Sequence, residues 1–198
     1  MSTFDKRAHE WDKKDVRVDG AKIIADAITR KFTLTPEMEV IDFGVGTGLL
    51  GFEIAKKVKQ VYGVDTSEGM LSKLQEKNTQ ECTIIPYHQD ILKEPLNQKF
   101  DALISSMTLH HIQDLEAFFK TIHNNLKDGG FIAIADLEKE DGTFHSDNTG
   151  VHHFGFDKQE LCDIVARSGF NNITFETINV IQKPHKDFNI FLLGATKE

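Results

Sequence analysis

The sequence predicts an α/β fold: a single doubly wound domain with a seven-stranded, mostly parallel sheet that ends in an antiparallel strand pair. Three observations predict it. Short apolar runs alternate with amphipathic helical segments, the last two apolar runs have no helix between them, and 198 residues with 39% hydrophobic content suit one packed core. Because a helix joining two strands gives a right-handed crossover, the first five strands should run parallel and the last two should pair antiparallel at one edge.

The strands are predicted from apolar runs that end at polar or turn-forming residues. In chain order they are residues 39–43, 60–64, 83–85, 100–105, 131–137, 172–181 and 188–195. In a doubly wound sheet a ligand binds beyond the carboxyl ends of the parallel strands, where the strand order reverses. Polar residues that follow the first five strands are therefore the candidates for a functional site.

The helices are predicted from apolar spacing of three to four residues together with capping residues. Two of them are expected over residues 19–31 and 49–58. Three more should begin after caps at Thr66 or Ser67, at Asp114 and at Asp157, and Gly169 should end the last of them. Residues 138–156 are polar and rich in histidine, and are predicted to form a loop.

Composition restricts the function classes. The chain has 23 basic and 31 acidic residues and a net charge of −8, which disfavours nucleic acid as a partner. Cys82 and Cys162 cannot form a disulfide framework, lack metal-ligand spacing and fit a reducing compartment. No apolar run reaches the roughly 18 residues of a membrane span, and the polar start lacks the apolar region of a secretory signal. We therefore expect a cytoplasmic protein with no membrane partner.

The strongest motif is DFGVGTG at residues 42–48, where three glycines follow a strand and precede a helix. Glycine allows the chain to turn tightly and a ligand to lie against the backbone. Asp65 ends the next strand, where its two oxygens can accept hydrogen bonds from both hydroxyls of a ribose. Asp90 follows the third strand, within reach of an adenine amino group. Together these residues predict a site shaped for adenosine.

Two cofactor classes compete for this site. Residues 46–51 match the G-x-G-x-x-G pattern of dinucleotide-binding folds, and Asp65 lies 19 residues after Gly46, close to the spacing of a ribose-binding acid. A nicotinamide cofactor therefore stays open, although the chain has no Tyr-x-x-x-Lys pair. Asp42, two residues before the first glycine, suits a cationic amino-acid group better than a pyrophosphate. Gly51 falls inside the predicted helix, where it would permit close packing.

The glycine loop resembles the first motif of class I S-adenosylmethionine-dependent methyltransferases, which have a Rossmann-like fold. Further segments resemble the family in the same order, over roughly residues 19–198: VD at 64–65, QDI at 89–91, FDALIS at 100–105 and LKDGG at 126–130. The segment LHH at 109–111 is similar to that of compact small-molecule methyltransferases. The resemblance implies a methyltransferase with S-adenosylmethionine as its cofactor.

The resemblance also implies roles for individual residues. Gly44, Gly46 and Gly48 would border the methionine and ribose parts of the cofactor, and Asp42 would lie near its amino group. Asp65 would hold the ribose hydroxyls.

The remaining implied contacts concern the adenine and the edge of the site. Asp90 would accept a hydrogen bond from the adenine amino group, and the Ile91 N–H would meet a ring nitrogen. Met70 would pack on the adenine face, although its helical spacing also suits a core residue. Ser105, at the end of the fourth strand, completes the candidate cofactor set.

Methyl transfer from a sulfonium is an in-line displacement that depends on alignment and on exclusion of water, so the absence of a catalytic triad does not argue against an enzyme. Residues 105–108 (SSMT) lack the Asn/Asp-Pro-Pro-aromatic motif of enzymes that methylate nucleic-acid amines. The absence of that motif disfavours a nucleic-acid acceptor. The resemblance to compact methyltransferases implies a small-molecule acceptor, while methylation of arginine or protein stays open. An oxidoreductase using NAD or NADP, and a non-catalytic S-adenosylmethionine-binding accessory protein, remain alternatives.

Histidines are the candidates for acid–base chemistry, since neutral imidazole can act as a base near physiological pH. The tentative catalytic residues are His152, His153 and His110, and no metal site is predicted. Phe154 is a candidate substrate contact. Residues 1–18 form an N-terminal segment that resembles a lid over the cofactor, with Trp11 as its candidate contact, and 19–198 form the methyltransferase domain. The oligomeric state is left open.

Overall fold

The computed structural model describes residues 4–5, 8–13 and 15–198. Seven strands form one sheet in the order β3-β2-β1-β4-β5-β7-β6, with β1 to β5 parallel and β7 antiparallel to both β5 and β6. The strands are β1 (Glu39–Phe43), β2 (Gln60–Asp65), β3 (Ile84–His88), β4 (Phe100–Ser106), β5 (Leu126–Leu137), β6 (Asn171–Lys183) and β7 (Lys186–Thr196). The predicted fold class and strand directions are confirmed.

Five α-helices and two 3₁₀ turns lie in the described residues: α1 (Asp15–Lys31), α2 (Leu49–Ala55), α3 (Glu68–Lys77), α4 (Leu115–Asn125), α5 (Lys158–Arg167) and turns at Ala8–Lys13 and Leu109–His111. The predicted caps form. Ser67 Oγ accepts from the Met70 N–H at 3.2 Å, and Asp114 Oδ1 accepts from the Ala117 N–H at 2.9 Å. Asp157 Oδ1 accepts from two N–H groups of the first turn of α5. These side chains satisfy donors that a helix start leaves without partners.

The helices cover both faces of the sheet, so its strands alternate between two cores. On β5, Ala133 and Ala135 pack with the cluster that includes α1, α2 and α3. Ile132 and Ile134 pack with the cluster that includes α4 and α5. Alternation of side chains along a strand explains this division. Of the described helices, none is long and apolar enough to cross a membrane.

Four predicted boundaries were wrong. Helix α1 begins at Asp15 rather than 19, because a charged, solvent-facing turn extends a helix without needing apolar spacing. Helix α2 ends at Ala55 instead of 58. Strand β3 spans Ile84–His88 rather than 83–85, since it pairs with β2 as far as Asp65. Strand β5 begins at Leu126 and runs through a register shift, so the glycines expected to precede it lie inside it.

The topology places the glycine loop at the switch point. Strand β1 lies between β2 and β4, and Phe43 is level with Val64 on one side and Ser105 on the other. The residues that follow these three strands therefore meet at one edge of the sheet. This is the crevice in which doubly wound folds bind ligands.

Candidate functional site

The glycines of the loop differ in how much space surrounds them: Gly44 and Gly48 are enclosed, and Gly46 is open. Gly44 has a φ of +68°, and a Cβ on it would lie 2.3 Å from Thr108 Cγ2, so no larger residue fits beneath the segment that follows β4. Gly46 has a φ of +54°, but a Cβ there would meet no atom within 4 Å. The backbone at Gly46 therefore faces open space, where a ligand can lie against it.

Asp65 links this loop to α3. Its Oδ2 accepts from the Gly46 N–H at 2.8 Å, and its Oδ1 accepts from the Ser67 N–H at 2.8 Å. Burial raises the pKa of Asp65, while the N–H groups of Ser67, Gly46 and Thr66 oppose that rise. Each carboxylate oxygen has two lone pairs, so both can still accept a hydroxyl. The geometry suits the implied ribose contact.

Asp42 lies beneath the loop. Its side chain is 2% exposed, and its Oδ2 has no hydrogen-bond partner among the described residues. That oxygen lies 2.8 Å from where a Cβ on Gly51 would stand, which explains the glycine inside α2. Burial and the charge of Asp65 raise the pKa of Asp42 well above its usual value. Such a buried carboxyl group does not favour direct contact with the cofactor amino group, near which the family resemblance places Asp42.

The residues implied at the adenine end follow β3 and begin α3. Asp90 is half-buried, accepts from the Leu92 N–H at 3.1 Å and pairs with Lys93 Nζ at 2.9 Å. The hydrogen bond from Lys93 lowers the pKa of Asp90. Ile91 and Met70 are buried, 1% and 2% exposed.

Ser105 is buried at the end of β4, where its hydroxyl donates to the Phe43 carbonyl at 2.7 Å. That bond ties β4 to β1 directly below the glycine loop. The structure therefore gives Ser105 a role between strands, and its side chain does not face the open part of the site.

The described N-terminal residues cross the same edge of the sheet. Asp5 Oδ1 accepts from Ser67 Oγ at 2.6 Å and from the Gly69 N–H at 3.0 Å. Asp12 Oδ1 accepts from Thr47 Oγ1 at 2.5 Å, and its Oδ2 pairs with Lys77 Nζ at 2.7 Å. These contacts attach the segment to the glycine loop and to the start and end of α3.

The aromatic residues of this segment, Phe4 and Trp11, contact different parts of the protein. The Phe4 ring meets His111 edge-on at a centroid distance of 5.3 Å and Trp11 at 6.0 Å. The guanidinium of Arg17 lies 3.7 Å from the centroid of Trp11, and Arg17 also donates to the Trp11 carbonyl. Trp11 therefore anchors the segment on α1, and Phe4 is the ring that reaches the loop after β4.

His110 forms a buried pair with a residue that sequence reasoning missed. Its Nδ1 lies 2.8 Å from Asp136 Oδ1, its backbone N–H donates to Asp136 Oδ2 at 3.1 Å, and its Nε2 has no hydrogen-bond partner among the described residues. His110 is 1% exposed and Asp136 is fully buried. The available signal was an acidic residue within the apolar run of β5, because a buried carboxylate needs a partner.

The structure does not bring His152, His153 and Phe154 together at the glycine loop. His153 Nε2 donates to the Ile112 carbonyl at 2.8 Å, and the residue lines a surface cavity of about 680 Å³ with Glu116 and Arg167. His152 is exposed beside His111, and Phe154 is 46% exposed. Their positions follow from hydrogen bonds of His152 and His153 to the segment after β4, about 40 positions earlier in the chain, which local sequence does not reveal. No cluster of three or more His, Cys, Asp or Glu able to hold a metal occurs in the part of the chain described.

Comparisons with known proteins agree with this geometry. The family described as "Methyltransferase domain" matches residues 40–130, from β1 to the middle of β5. An uncharacterized methyltransferase of Schizosaccharomyces pombe is 31% identical over 153 residues, which are 68% of this chain and 54% of that protein. One from Bacillus cytotoxicus is 27% identical over 220 aligned positions, with 98% of this chain and 96% of that protein covered.

The chain belongs to the class I S-adenosylmethionine-dependent methyltransferases. It is accordingly placed among enzymes, with S-adenosylmethionine as the cofactor of its class. The nicotinamide alternative, which rested on the overlap of two glycine patterns, has no support from these matches.

Solved structures show the same methyltransferase fold. The DhpI complex with S-adenosylhomocysteine superposes with a TM-score of 0.77 at 18% identity, with 98% of this chain and 93% of that chain covered. Magnesium protoporphyrin IX methyltransferase from Synechocystis, with bound S-adenosylmethionine, superposes with a TM-score of 0.68 at 19% identity. The match covers 92% of this chain and 80% of that chain. The chain spans about half of the length of the fission-yeast relative, whereas it spans nearly all of the Bacillus relative.

Proposed function

We propose that this methyltransferase transfers the methyl group of S-adenosylmethionine to a small-molecule acceptor, with the N-terminal segment as a lid. The observation that carries the proposal is the set of contacts made by Asp5 and Asp12 across the site. They tie the segment to Ser67 and Gly69 on one side and to Thr47 of the glycine loop on the other. A cleft covered in this way admits a compact acceptor more readily than a polymer.

The cofactor would lie along the glycine loop. Gly46 offers the open backbone, Asp65 would accept the ribose hydroxyls, and Asp90 would accept from the adenine amino group after exchanging its pair with exposed Lys93. Gly44 and Gly48 would shape the turn. Four buried residues would support the glycine loop and the cofactor from below: Ile91, Met70, Ser105 and Asp42.

Residues 1–18 and 19–198 are proposed as lid segment and catalytic domain. The described part of the lid segment is 4–5, 8–13 and 15–18, and its Asp5 and Asp12 already contact the domain, while residues 1–3, 6, 7 and 14 lie outside the described residues. In this proposal Trp11 holds the lid against α1, and Phe4 shields the reacting groups from water.

Two further observations support a small acceptor. A net charge of −8 gives no general attraction for nucleic-acid phosphates. Magnesium protoporphyrin IX methyltransferase shares the fold, and its name describes a small-molecule substrate. A phosphoethanolamine N-methyltransferase of Zea mays is also similar, at 27% identity over 180 residues, although this chain spans 36% of it.

The cofactor supplies a methyl group already activated by its positively charged sulfur. The work left to the protein is alignment and the exclusion of water. Asp65 and the glycine loop fix the adenosine end, and Phe4 closes the cleft above the loop after β4. Alignment and exclusion of water require no catalytic triad.

Calorimetric titration with S-adenosylmethionine, S-adenosylhomocysteine, NAD and NADP in parallel tests the proposal. We expect binding of the two sulfur ligands alone, followed by release of S-adenosylhomocysteine in a screen of small acceptors. Binding of a nicotinamide cofactor instead would contradict it. Tight binding of S-adenosylmethionine with no turnover on any acceptor would indicate a non-catalytic accessory protein.

A further inference from the structure

Three imidazoles come together after β4, above the buried pair of His110 and Asp136. The ring centroids of His110 and His111 are 4.2 Å apart, those of His110 and His145 are 4.8 Å apart, and those of His111 and His145 are 6.4 Å apart. The three pairs of rings are tilted at 45° to 51° to one another, and no metal-binding cluster is found among the described residues. Their arrangement therefore calls for a role other than chelation.

The hydrogen bonding of His111 fixes its tautomer. Its Nδ1 lies 2.7 Å from the Gly150 carbonyl oxygen. Because a carbonyl oxygen only accepts hydrogen bonds, Nδ1 must carry a proton, and in the neutral ring Nε2 then presents a lone pair. His110 has a similar tautomer through Asp136, but its Nε2 is enclosed and no acceptor molecule can reach it. His111 and His145 are both half-exposed, and His111 is the one whose Nδ1 is held by a backbone carbonyl, which leaves its Nε2 as the basic atom.

His111 also lies at the edge of the proposed cleft. Phe4 meets its ring edge-on, while the next residue, Asp5, bonds to Ser67 and Gly69. Consecutive Cα atoms are only about 3.8 Å apart, so these two lid residues bridge from the start of α3 to His111. Three residues before His111, Thr108 packs over Gly44 of the glycine loop. The imidazole thus borders the space between lid and loop.

The surroundings keep this imidazole neutral. Burial lowers the pKa of His111, and the charges of His110 and His152 lower it further, while the Gly150 carbonyl and Asp136 oppose the shift. Burial also lowers the pKa of His145, which faces the same rings. Phe4, from the lid, brings no charge to the ring. A histidine with a lowered pKa is in its basic form at physiological pH.

We propose that His111 is the general base of this enzyme and that its acceptor carries a weakly acidic O–H or S–H group. As the new O–CH₃ or S–CH₃ bond forms and the sulfonium S–CH₃ bond breaks, the electron pair of the broken bond stays on the cofactor's sulfur. The acceptor's proton moves to His111 Nε2 and later leaves to solvent. Asp136 acts as a positioning residue, because it holds the ring and backbone of His110 next to His111. The inference rests on the proposed methyl transfer.

The test uses the variant H111N, with H185N as its control. The Asn side-chain N–H₂ can keep the bond to the Gly150 carbonyl that Nδ1 makes, but it has no basic nitrogen at the position of Nε2. His185 is an exposed histidine in the turn between β6 and β7. Unchanged thermal unfolding and S-adenosylhomocysteine affinity in both variants would show that fold and cofactor site are intact.

The probes are substituted phenols, protonated at neutral pH, and benzenethiols, which ionise in solution without a base. We expect H111N to lower kcat/KM for phenols by about 100-fold or more, within the range of general-base catalysis, and to change it by less than about 3-fold for benzenethiols. Wild-type kcat/KM for phenols should fall as the pH drops through the pKa of His111, which lies below the usual value of about 6.5. The kcat/KM of H111N should not show this fall. H185N should behave as wild type.

Several results would overturn the inference. Equal losses for both acceptor classes would assign His111 a structural role, and no loss would remove it from the reaction. Methylation of tertiary amines or thioethers alone, or no turnover by a protein that binds S-adenosylmethionine, would also overturn it. If the wild-type protein binds neither S-adenosylmethionine nor S-adenosylhomocysteine, the failure belongs to the proposed function instead.

Discussion

Asp65 is the residue that joins the two halves of the proposed cofactor site. Its oxygens hold the backbone N–H groups of Gly46 in the loop and Ser67 at the start of α3. The position of Asp65 at a strand end was predictable from the sequence, but these two donors were not. They come from segments that only the β1–β2 pairing brings together. An aspartate expected to touch a ligand thus also organises the protein around it.

Replacement of Asp65 should separate these two roles. We expect D65N to weaken S-adenosylhomocysteine binding by about 100-fold, because charge-assisted hydrogen bonds to the ribose are lost. D65A should weaken binding as strongly and also lower the free energy of unfolding by about 1–3 kcal/mol, since two backbone donors lose their acceptor. Calorimetry and urea unfolding measure the two effects. D19N, at an exposed position of α1, is the control, and equal binding by D65N and wild type would exclude the ribose contact.

At the scale of the element, helix α2 contains Gly51 because tertiary packing leaves no room for a larger residue there. Intrinsic propensity alone favours Ala over Gly in a helix by about 1 kcal/mol. At Gly51, however, a Cβ would come within 2.8 Å of both Asp42 Oδ2 and Ile84 Cδ1, whereas at Gly20 in α1 it would meet nothing within 4 Å. The same substitution should therefore act in opposite directions in the two helices.

Gly51→Ala should lower the free energy of unfolding by about 1–3 kcal/mol, the usual cost of overpacking a core. Gly20→Ala should raise it by about 0.5–1 kcal/mol, because it gains helix propensity without a clash. Urea denaturation of both variants beside wild type measures the pair. Stabilisation by Gly51→Ala would show that α2 does not pack on Asp42 as closely as described.

Asp12 is one of the side chains that dock the proposed lid on the domain. Asp12 bonds both to Thr47 of the glycine loop and to Lys77 of α3. D12A should weaken S-adenosylmethionine binding by about 3- to 10-fold, because roughly 1 kcal/mol of lid docking no longer favours the closed site. It should also speed amide hydrogen exchange at residues 44–48.

Glu10→Ala is the matched control for the lid. Glu10 lies in the same 3₁₀ turn and pairs with Lys13 on the surface, where an ion pair contributes little. The cofactor affinity and amide exchange rates of Glu10→Ala should equal those of wild type. Identical exchange in D12A and Glu10→Ala would mean that the segment does not cover the loop.

At the scale of the whole molecule, buried carboxyl groups make stability depend on pH. The pKa values of Asp42 and Asp65 are raised in the folded protein, mainly by burial. The folded state therefore holds their protons more tightly than the unfolded chain, in which Asp titrates at about 3.9. Stability contributed by these groups is present below that value and is lost as pH rises toward their folded pKa values.

Asp42→Asn tests this dependence. We expect the free energy of unfolding of Asp42→Asn, relative to wild type, to increase from pH 4 to pH 7, because Asn cannot ionise and carries no desolvation cost of a charge. Urea unfolding at both pH values measures the difference. A difference that stays constant with pH, or falls, would show that Asp42 does not titrate above its ordinary range.

Across the whole molecule, the elements were predictable where local signals agreed. The caps at Asp114 and Asp157 were identified, and Ser67 was one of two candidates with Thr66, because capping depends on residues two or three positions apart. The start of β5 was not, because its first residues become strand only by pairing with β4. Likewise His153 was expected in the site, but its ring is tied to the Ile112 carbonyl, 41 positions earlier in the chain.

The sequence by itself determined the fold class, the strand directions, the glycine loop and the family, because periodicity, turn chemistry and motif order are local properties of the chain. Only the tertiary structure decided which side chains lie beside one another around the proposed site. The pairing of His110 with Asp136, the hydrogen bond of His111 to Gly150, and the contact of Phe4 with His111 each join segments 26 or more positions apart. Such contacts depend on burial and on the direction of each side chain, which packing sets and local pattern does not.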